Sequence, residues 1–211
     1  MKKLKVLVAC EESQTVCSAF RELGHEAYSC DIIECSGGHP EWHIQQDVLP
    51  LLNGNCEFTT CDGETHNITG KWDLIIAHPP CTRLCNSGQR WLYWGDREYQ
   101  SEKIREQQKA IVFFMVIAHA DCDKIIIENP SGIMSTIWRK PDCVYNPYDF
   151  EGETECKTTC LWLKGVPPLR LQERRLYQVN SARVGYGKRI SGIKNTPGMT
   201  PKQQNCEVLH R

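Results

Sequence analysis

Asp73-Leu74-Ile75-Ile76-Ala77-His78-Pro79-Pro80-Cys81 decides the fold, together with Ile125-Ile126-Ile127-Glu128-Asn129-Pro130 further along the chain. Each is an apolar run of strand type that ends in reactive side chains. Two parallel strands of this kind would deliver a thiol and a carboxylate to the same rim of a sheet. Cys81 follows two prolines, whose rings fix φ, push the preceding residues toward extended geometry and remove two backbone donors. Such a turn presents its thiol rather than packing it, although a buried cysteine after a proline-terminated strand fits the local sequence equally well. Glu128 adds weight to presentation, because a carboxylate straight after three isoleucines is costly to bury without a task. Its alternative is a carboxylate held by amides at the next helix start.

Working outward, Lys5 to Cys10 reads as a parallel-type strand, and Ser13 is placed to cap a helix running to about Leu23, with Val16, Ala19, Phe20 and Leu23 on one face. Gly24-His25 turns into a second strand, from Glu26 to Ser29, ending at Asp31. Strand, turn, helix and strand ending in an acid form the first unit of a Rossmann-like α/β domain. The glycine fingerprint of dinucleotide sites is absent, since Cys10-Glu11-Glu12-Ser13-Gln14 stands in that turn.

After Cys81, the stretch Thr82 to Gln100 is rich in Arg, Trp, Tyr and Gly, and Ser87-Gly88-Gln89-Arg90-Trp91 has the make-up of a mobile loop. An amphipathic helix is expected from about Glu102 to His119, with Ile104, Ile111, Phe114, Met115 and Ala118 facing the sheet. Trp138 to Asp142 reads as a basic turn. Val144 to Phe150 and Thr158 to Leu163 read as strands of a carboxyl-terminal hairpin at the sheet edge. A loop-rich tail follows, with a short helix after Thr200-Pro201.

The chain has 211 residues, 40% of them hydrophobic, enough for one well-buried domain. Residues 1–170 are expected to form it, with 171–211 a basic extension of the same domain. The apolar run after Lys5 stops at Cys10, too short for a secretory segment, and no stretch approaches the roughly 18 apolar residues of a membrane span. A cytoplasmic protein with no membrane contact is expected, and thirteen cysteines then read as reduced thiols rather than a disulfide framework. Cys56, Cys61 and His66 have loosely metal-like spacing but no fourth local ligand, and their polar surroundings read as a hairpin, so no metal is expected. The net charge of −1 is unevenly spread: residues 164–211 carry ten Lys/Arg against Glu173 and Glu207, leaving −9 for residues 1–163. A basic final quarter on an acidic chain suits a nucleic-acid face, or an ordinary solvated tail.

Pro79-Pro80-Cys81 and Glu128-Asn129-Pro130, in this order and each closing a strand, resemble the nucleophile and acid motifs of the DNA cytosine-5 methyltransferases. The chain is similar to a compact phage and prophage branch of that family. The resemblance runs through Val6 to Glu11 with Ser13, Gly24 to Ala27 with Ser29-Cys30-Asp31, Trp72 to Cys81, Ser87-Gly88, Glu128 to Gly132, Arg139-Lys140-Pro141, Gly152-Glu153-Thr154 and Cys160 to Gly165 with Pro167-Pro168-Leu169. It implies a class I methyltransferase sheet with helices on both faces. It also implies S-adenosylmethionine as cofactor, with Asp31 on the ribose hydroxyls, Asp47 on the adenine, Cys10, Glu11, Glu12, Ser13 and Gln14 at the methionine end, and His78 and Pro79 beside it. Locally, Asp47 reads equally well as a turn cap. By the same resemblance Cys81 attacks carbon 6 of cytosine, Glu128 donates to ring nitrogen 3 and Asn129 orients the loop. DNA is the implied partner, contacted by Arg83, Arg90 and Trp91 of the loop and by Arg174 and Arg175 of the tail; no obligate protein partner is implied.

Two departures stand out. The family's late arginine motif is replaced before Leu161 by Glu153-Thr154-Glu155-Cys156-Lys157-Thr158, which makes Lys157 the expected substitute. A separate target-recognition domain is also missing, so sequence specificity should be short or absent. A carboxylated sulfonium donor, carboxy-S-adenosylmethionine, would give 5-carboxymethylcytosine with the same Cys81 and Glu128. Action on RNA or a free nucleotide, and a catalytically dead nucleic-acid-binding relic, are the other readings.

Overall fold

The structure, a computed structural model, describes residues 2–89, 96–146 and 157–168. The chain divides into two compact units. The first comprises Met1–Cys143 and Cys160–Pro168; described residues of the second are 144–146 and 157–159.

Strands β1 (Lys5–Ala9), β2 (Glu26–Asp31), β3 (His43–Gln45), β6 (Leu74–Ala77), β7 (Ile125–Pro130), β9 (Thr159–Lys164) and β8 (Cys143–Tyr145) form a seven-stranded sheet in the order β3-β2-β1-β6-β7-β9-β8. The pairs β1–β2, β2–β3, β1–β6 and β6–β7 are parallel. A second, antiparallel pair joins β4 (Cys56–Thr59) to β5 (Thr65–Ile68), the hairpin that Asp62-Gly63 signalled. This is a mixed α/β arrangement compatible with a Rossmann-like fold. The chain moves outward from β1 through β2 to β3 and returns to the other side of β1 as β6, so the strand order reverses between β1 and β6. Open parallel sheets bind ligands beyond the carboxyl ends of the strands at such a point.

Alternation along the central strands divides the core by face. Leu7, Ala9, Ile75, Ala77, Ile125 and Ile127 pack with Phe114 and Ile117 of helix α3 (Arg97–Ala118). Val6, Val8, Leu74 and Ile76 pack with Cys17 of helix α1 (Thr15–Glu22), so helices cover both faces of the sheet.

Several boundaries differ from those the sequence suggests. Helix α1 is not capped by Ser13, which is exposed; Gln14 holds the N-cap position in a left-handed conformation, φ 59°. The Glu11 carboxylate does the capping from further back, accepting from Val16 N–H (2.6 Å) and Cys17 N–H (3.2 Å). Helix α3 begins at Arg97 rather than near Glu102, because the Asp96 side chain accepts from Tyr99 N–H at 2.9 Å. Ile104, expected on its buried face, is exposed, while Phe114 and Ile117 are fully buried. Asn86–Gln89, expected as loop, form the short helix α2. Strand β7 runs through Pro130, so Glu128, Asn129 and Pro130 close the strand as the sequence suggests. Residues 134–137, between β7 and the Trp138–Asp142 turn, form helix α4 (Met134–Ile137).

Arg90, Trp91, Arg174, Arg175, the final helix and residues 147–150 of the expected hairpin lie outside the described residues. Among the described residues no helix is long and apolar enough to cross a membrane.

Candidate active site

One residue beyond the last register position that β1 shares with β2 and β6 stand Cys10, Asp31 and His78, with Glu128 in the same row of β7: Ala9 is in register with Cys30 and Ala77, and Ala77 with Ile127. Backbone bonds extend the row, from Cys10 N–H to the Cys30 carbonyl (2.7 Å) and from His78 N–H to the Ala9 carbonyl (2.9 Å). Four chemically capable side chains therefore share one rim at the point where the strand order reverses.

The two motifs are tied together beyond that rim. The fully buried Asn129 donates its side-chain N–H to the Pro79 carbonyl at 2.7 Å, satisfying an oxygen in a proline pair that lacks donors of its own. Further out, Ile133 N–H donates to the Leu84 carbonyl (2.8 Å) and Asn86 N–H to the Ser131 carbonyl (3.1 Å), on either side of an antiparallel bridge between Cys85 and Gly132. Gly132 is required there, since a Cβ on it would overlap the Leu84 carbonyl oxygen. The Cys81 carbonyl accepts from Leu84 N–H and Cys85 N–H, both 2.9 Å, so Cys81 opens a tight turn, and it is half-buried. Glu128, also half-buried, has Oε2 at 3.4 Å from His78 Nδ1.

A cavity of about 360 Å³ lies beside the rim, lined by Cys10, Cys30, Asp31, Ile32, Gln46, Asp47, Val48, Pro80, Lys109, Ala110 and Phe113. That volume is within the range of small-molecule sites. Asp31 uses Oδ1 for Ile33 N–H (3.2 Å) and Asp47 uses Oδ1 for Leu49 N–H (3.0 Å), which fixes both carboxyls while leaving each a second oxygen. Asp47 is thus both a turn cap and a cavity residue. Burial, with Asp31 and Asp47 nearby, pushes the Cys10 thiol up to about 12, and burial does the same for Cys30. Both are inert thiols that shape the wall.

Not every expected site residue meets at this cavity. Among the described residues its wall includes Cys10, Asp31 and Asp47 but not Glu11, Glu12, Ser13, Gln14, His78 or Pro79. Glu11 serves α1. Gln14, fully buried, clamps the loop after β2 by accepting from His39 N–H (2.9 Å) and donating to the His39 carbonyl (2.7 Å). Glu12 lends its carbonyl to Ser36 N–H (2.9 Å). His78 faces Glu128, and Pro79 is buried under Asn129. Arg83 is bound to Glu106 of α3 through Nε at 2.7 Å and a terminal nitrogen at 2.6 Å. Lys157 is exposed and belongs to the second unit. Ile32, Lys109, Ala110 and Phe113 were not foreseen as cavity residues: the α3 residues come from sixty or more positions beyond Asp47, and only the sheet topology brings them in.

No group of three His, Cys, Asp or Glu side chains among the described residues could hold a metal ion. His66 bonds instead to Tyr28 Oη (3.2 Å) and Thr60 Oγ1 (3.0 Å). No known family model matches the chain, and no curated protein matches it at a significant level.

Proposed function

We propose that the protein transfers a methyl group from S-adenosylmethionine to carbon 5 of cytosine in DNA, through a transient bond between Cys81 and the ring. The observation that carries this reading is the tying together of the Cys81 turn and the Glu128 strand end, at the Asn129–Pro79 bond and again at the Leu84–Ile133 and Asn86–Ser131 bonds, next to a nucleoside-sized cavity with two fixed carboxylates.

The residues fit the cofactor. Asp31 ends β2 and has an oxygen to spare for two vicinal hydroxyls, a task suited to an acceptor-only group. Asp47, in the same cavity wall, would take the exocyclic amine of the base, and Ile32, Val48 and Phe113 supply apolar wall for its rings. The cofactor, when bound, supplies an electrophilic methyl group. The chain's own residues do the rest. Cys81, as thiolate, adds to carbon 6 of a pyrimidine extruded from the helix, at a cost of a few kcal/mol. Glu128 gives a proton to ring nitrogen 3 as charge develops there, and Asn129 keeps the Pro79–Cys81 turn in place for attack. Loss of the carbon 5 proton to a base then releases Cys81.

One observation favours a second donor. Lys109 lines the same cavity on the helix face that, one turn earlier, holds Arg83 through Glu106. A cation in that wall suits a donor carrying an extra carboxylate, which would leave carboxymethyl on carbon 5. Mass spectrometry of nucleosides from cytosine-containing DNA incubated with the chain and each donor tests both. 5-Methylcytosine supports the first reading and 5-carboxymethylcytosine the second; unmodified DNA with both donors removes the proposal.

A further inference from the structure

His78 and Glu128 are neighbours across β6 and β7 in the row beyond Ala77 and Ile127. Glu128 alternates with the buried Ile125 and Ile127 along β7, and His78 directly follows the end of β6. Imidazole Nδ1 stands 3.4 Å from Glu128 Oε2, whereas Nε2 is buried and has no hydrogen-bond partner among the described residues. The ring's two nitrogens are thus unequal. A buried N–H donor left unpaired is rarer and costlier than an acceptor with a spare lone pair. With no acceptor at Nε2, the single proton of a neutral ring belongs on Nδ1, facing the carboxyl. Among the described residues, the Glu11 carboxyl is also within electrostatic reach of His78; its oxygens are committed to Val16 and Cys17 N–H. From β9, the buried Cys160 thiol is near enough to feel Glu128.

We propose that His78 is a positioning residue for Glu128. Its Nδ1–H donates to Oε2, which turns Oε1 toward the pyrimidine and stabilises the negative charge left when Oε1 gives up its proton. The inference rests on the reading of Cys81 and Glu128 given above. As the bond from Cys81 sulfur to carbon 6 forms, the carbon 5–carbon 6 π pair moves between carbons 4 and 5. The pair from the carbon 4–nitrogen 3 double bond takes the Glu128 proton. His78 neither gains nor loses a proton, and the Glu128 proton returns as Cys81 leaves.

Two measurements on the full chain test this. In 15N-labelled protein at neutral pH, the His78 imidazole is expected in the Nδ1–H form, shifting toward Nε2–H in Glu128→Leu. In the second, the rate of covalent adduct formation on a 5-fluorocytosine oligonucleotide is expected to fall about 10- to 100-fold in His78→Ala, with oligonucleotide binding unchanged. His78→Asn, whose amide N–H overlies Nδ1, should recover most of the rate. An Nε2–H ring in the unaltered protein, or His78→Asn as slow as His78→Ala, overturns the assignment. Should the unaltered protein form no adduct at all, the Cys81 reading fails separately, and the imidazole spectrum alone decides whether His78 holds Glu128.

Discussion

Gly132→Ala perturbs the junction between the two motifs without removing any reactive side chain. A Cβ on residue 132 would overlap the Leu84 carbonyl oxygen and lie 2.8 Å from both the Leu84 carbonyl carbon and Cys85 Cα, all backbone atoms with no rotamer to yield. The segments beyond Cys81 and Glu128 must then separate by about 1 Å to restore ordinary contact distances. Two backbone hydrogen bonds cross this junction, Ile133 N–H to Leu84 and Asn86 N–H to Ser131. At about 0.5–1.5 kcal/mol each, losing both costs roughly 1–3 kcal/mol of stability. A displacement of that size at a reacting group also lowers rate by about 100-fold. Urea denaturation gives the first quantity, and the rate of adduct formation on a 5-fluorocytosine oligonucleotide gives the second. A variant with unaltered midpoint and rate would show that the junction does not position Cys81 against Glu128.

Three further outcomes are expected. Asp31→Ala should weaken S-adenosylmethionine binding about 10- to 100-fold by calorimetry, the loss of a charged acceptor to ribose hydroxyls, with little change in melting temperature. In the folded chain at pH 8, Cys10, Cys17 and Cys30, whose thiols burial raises from 9.0 to about 12, should react with iodoacetamide about a thousandfold more slowly than ordinary thiols; comparable rates measured by mass spectrometry would contradict that burial. Burial also holds the Glu11 carboxyl above its ordinary value of 4.5 despite two N–H donors. The folded chain thus keeps this proton longer than the unfolded chain, so the associated stability is present below pH 4.5 and is lost as pH rises through the folded value. The melting temperature of wild type relative to Glu11→Gln should fall over that rise, and an increase would refute the sign.

Much of this fold was legible because its central strands are written as short, largely apolar runs that end in a reactive residue. Lys5 to Cys10, Glu26 to Asp31, Asp73 to Cys81 and Ile125 to Pro130 all carry that signature, and each becomes a strand or its end. Local chemistry at element ends was less visible. Ser13 looks like a cap by type and position, yet Glu11 reaches Val16 and Cys17 from outside the usual capping spacing. Asp96 is a good cap by type, but the apolar stripe of α3 begins later, and a helix start read from periodicity alone moves with it. The cavity was legible only at Cys10, Asp31 and Asp47, which close chain segments of a familiar order. Lys109 and Phe113 lie on a helix whose face toward the cavity depends on which strand it crosses, and short-range patterns hold no record of that crossing. The His78–Glu128 contact has the same origin: two residues fifty positions apart meet only because β6 and β7 are adjacent and in register.

The most direct test of the central claim is the mass of the chain after incubation with S-adenosylmethionine and a 5-fluorocytosine oligonucleotide, followed by tryptic mapping. The account predicts a complex that survives denaturation, with the added mass on the peptide of residues 72–83 at Cys81, and none in Cys81→Ser. An unshifted chain, or a bond mapped to any other cysteine, would contradict it.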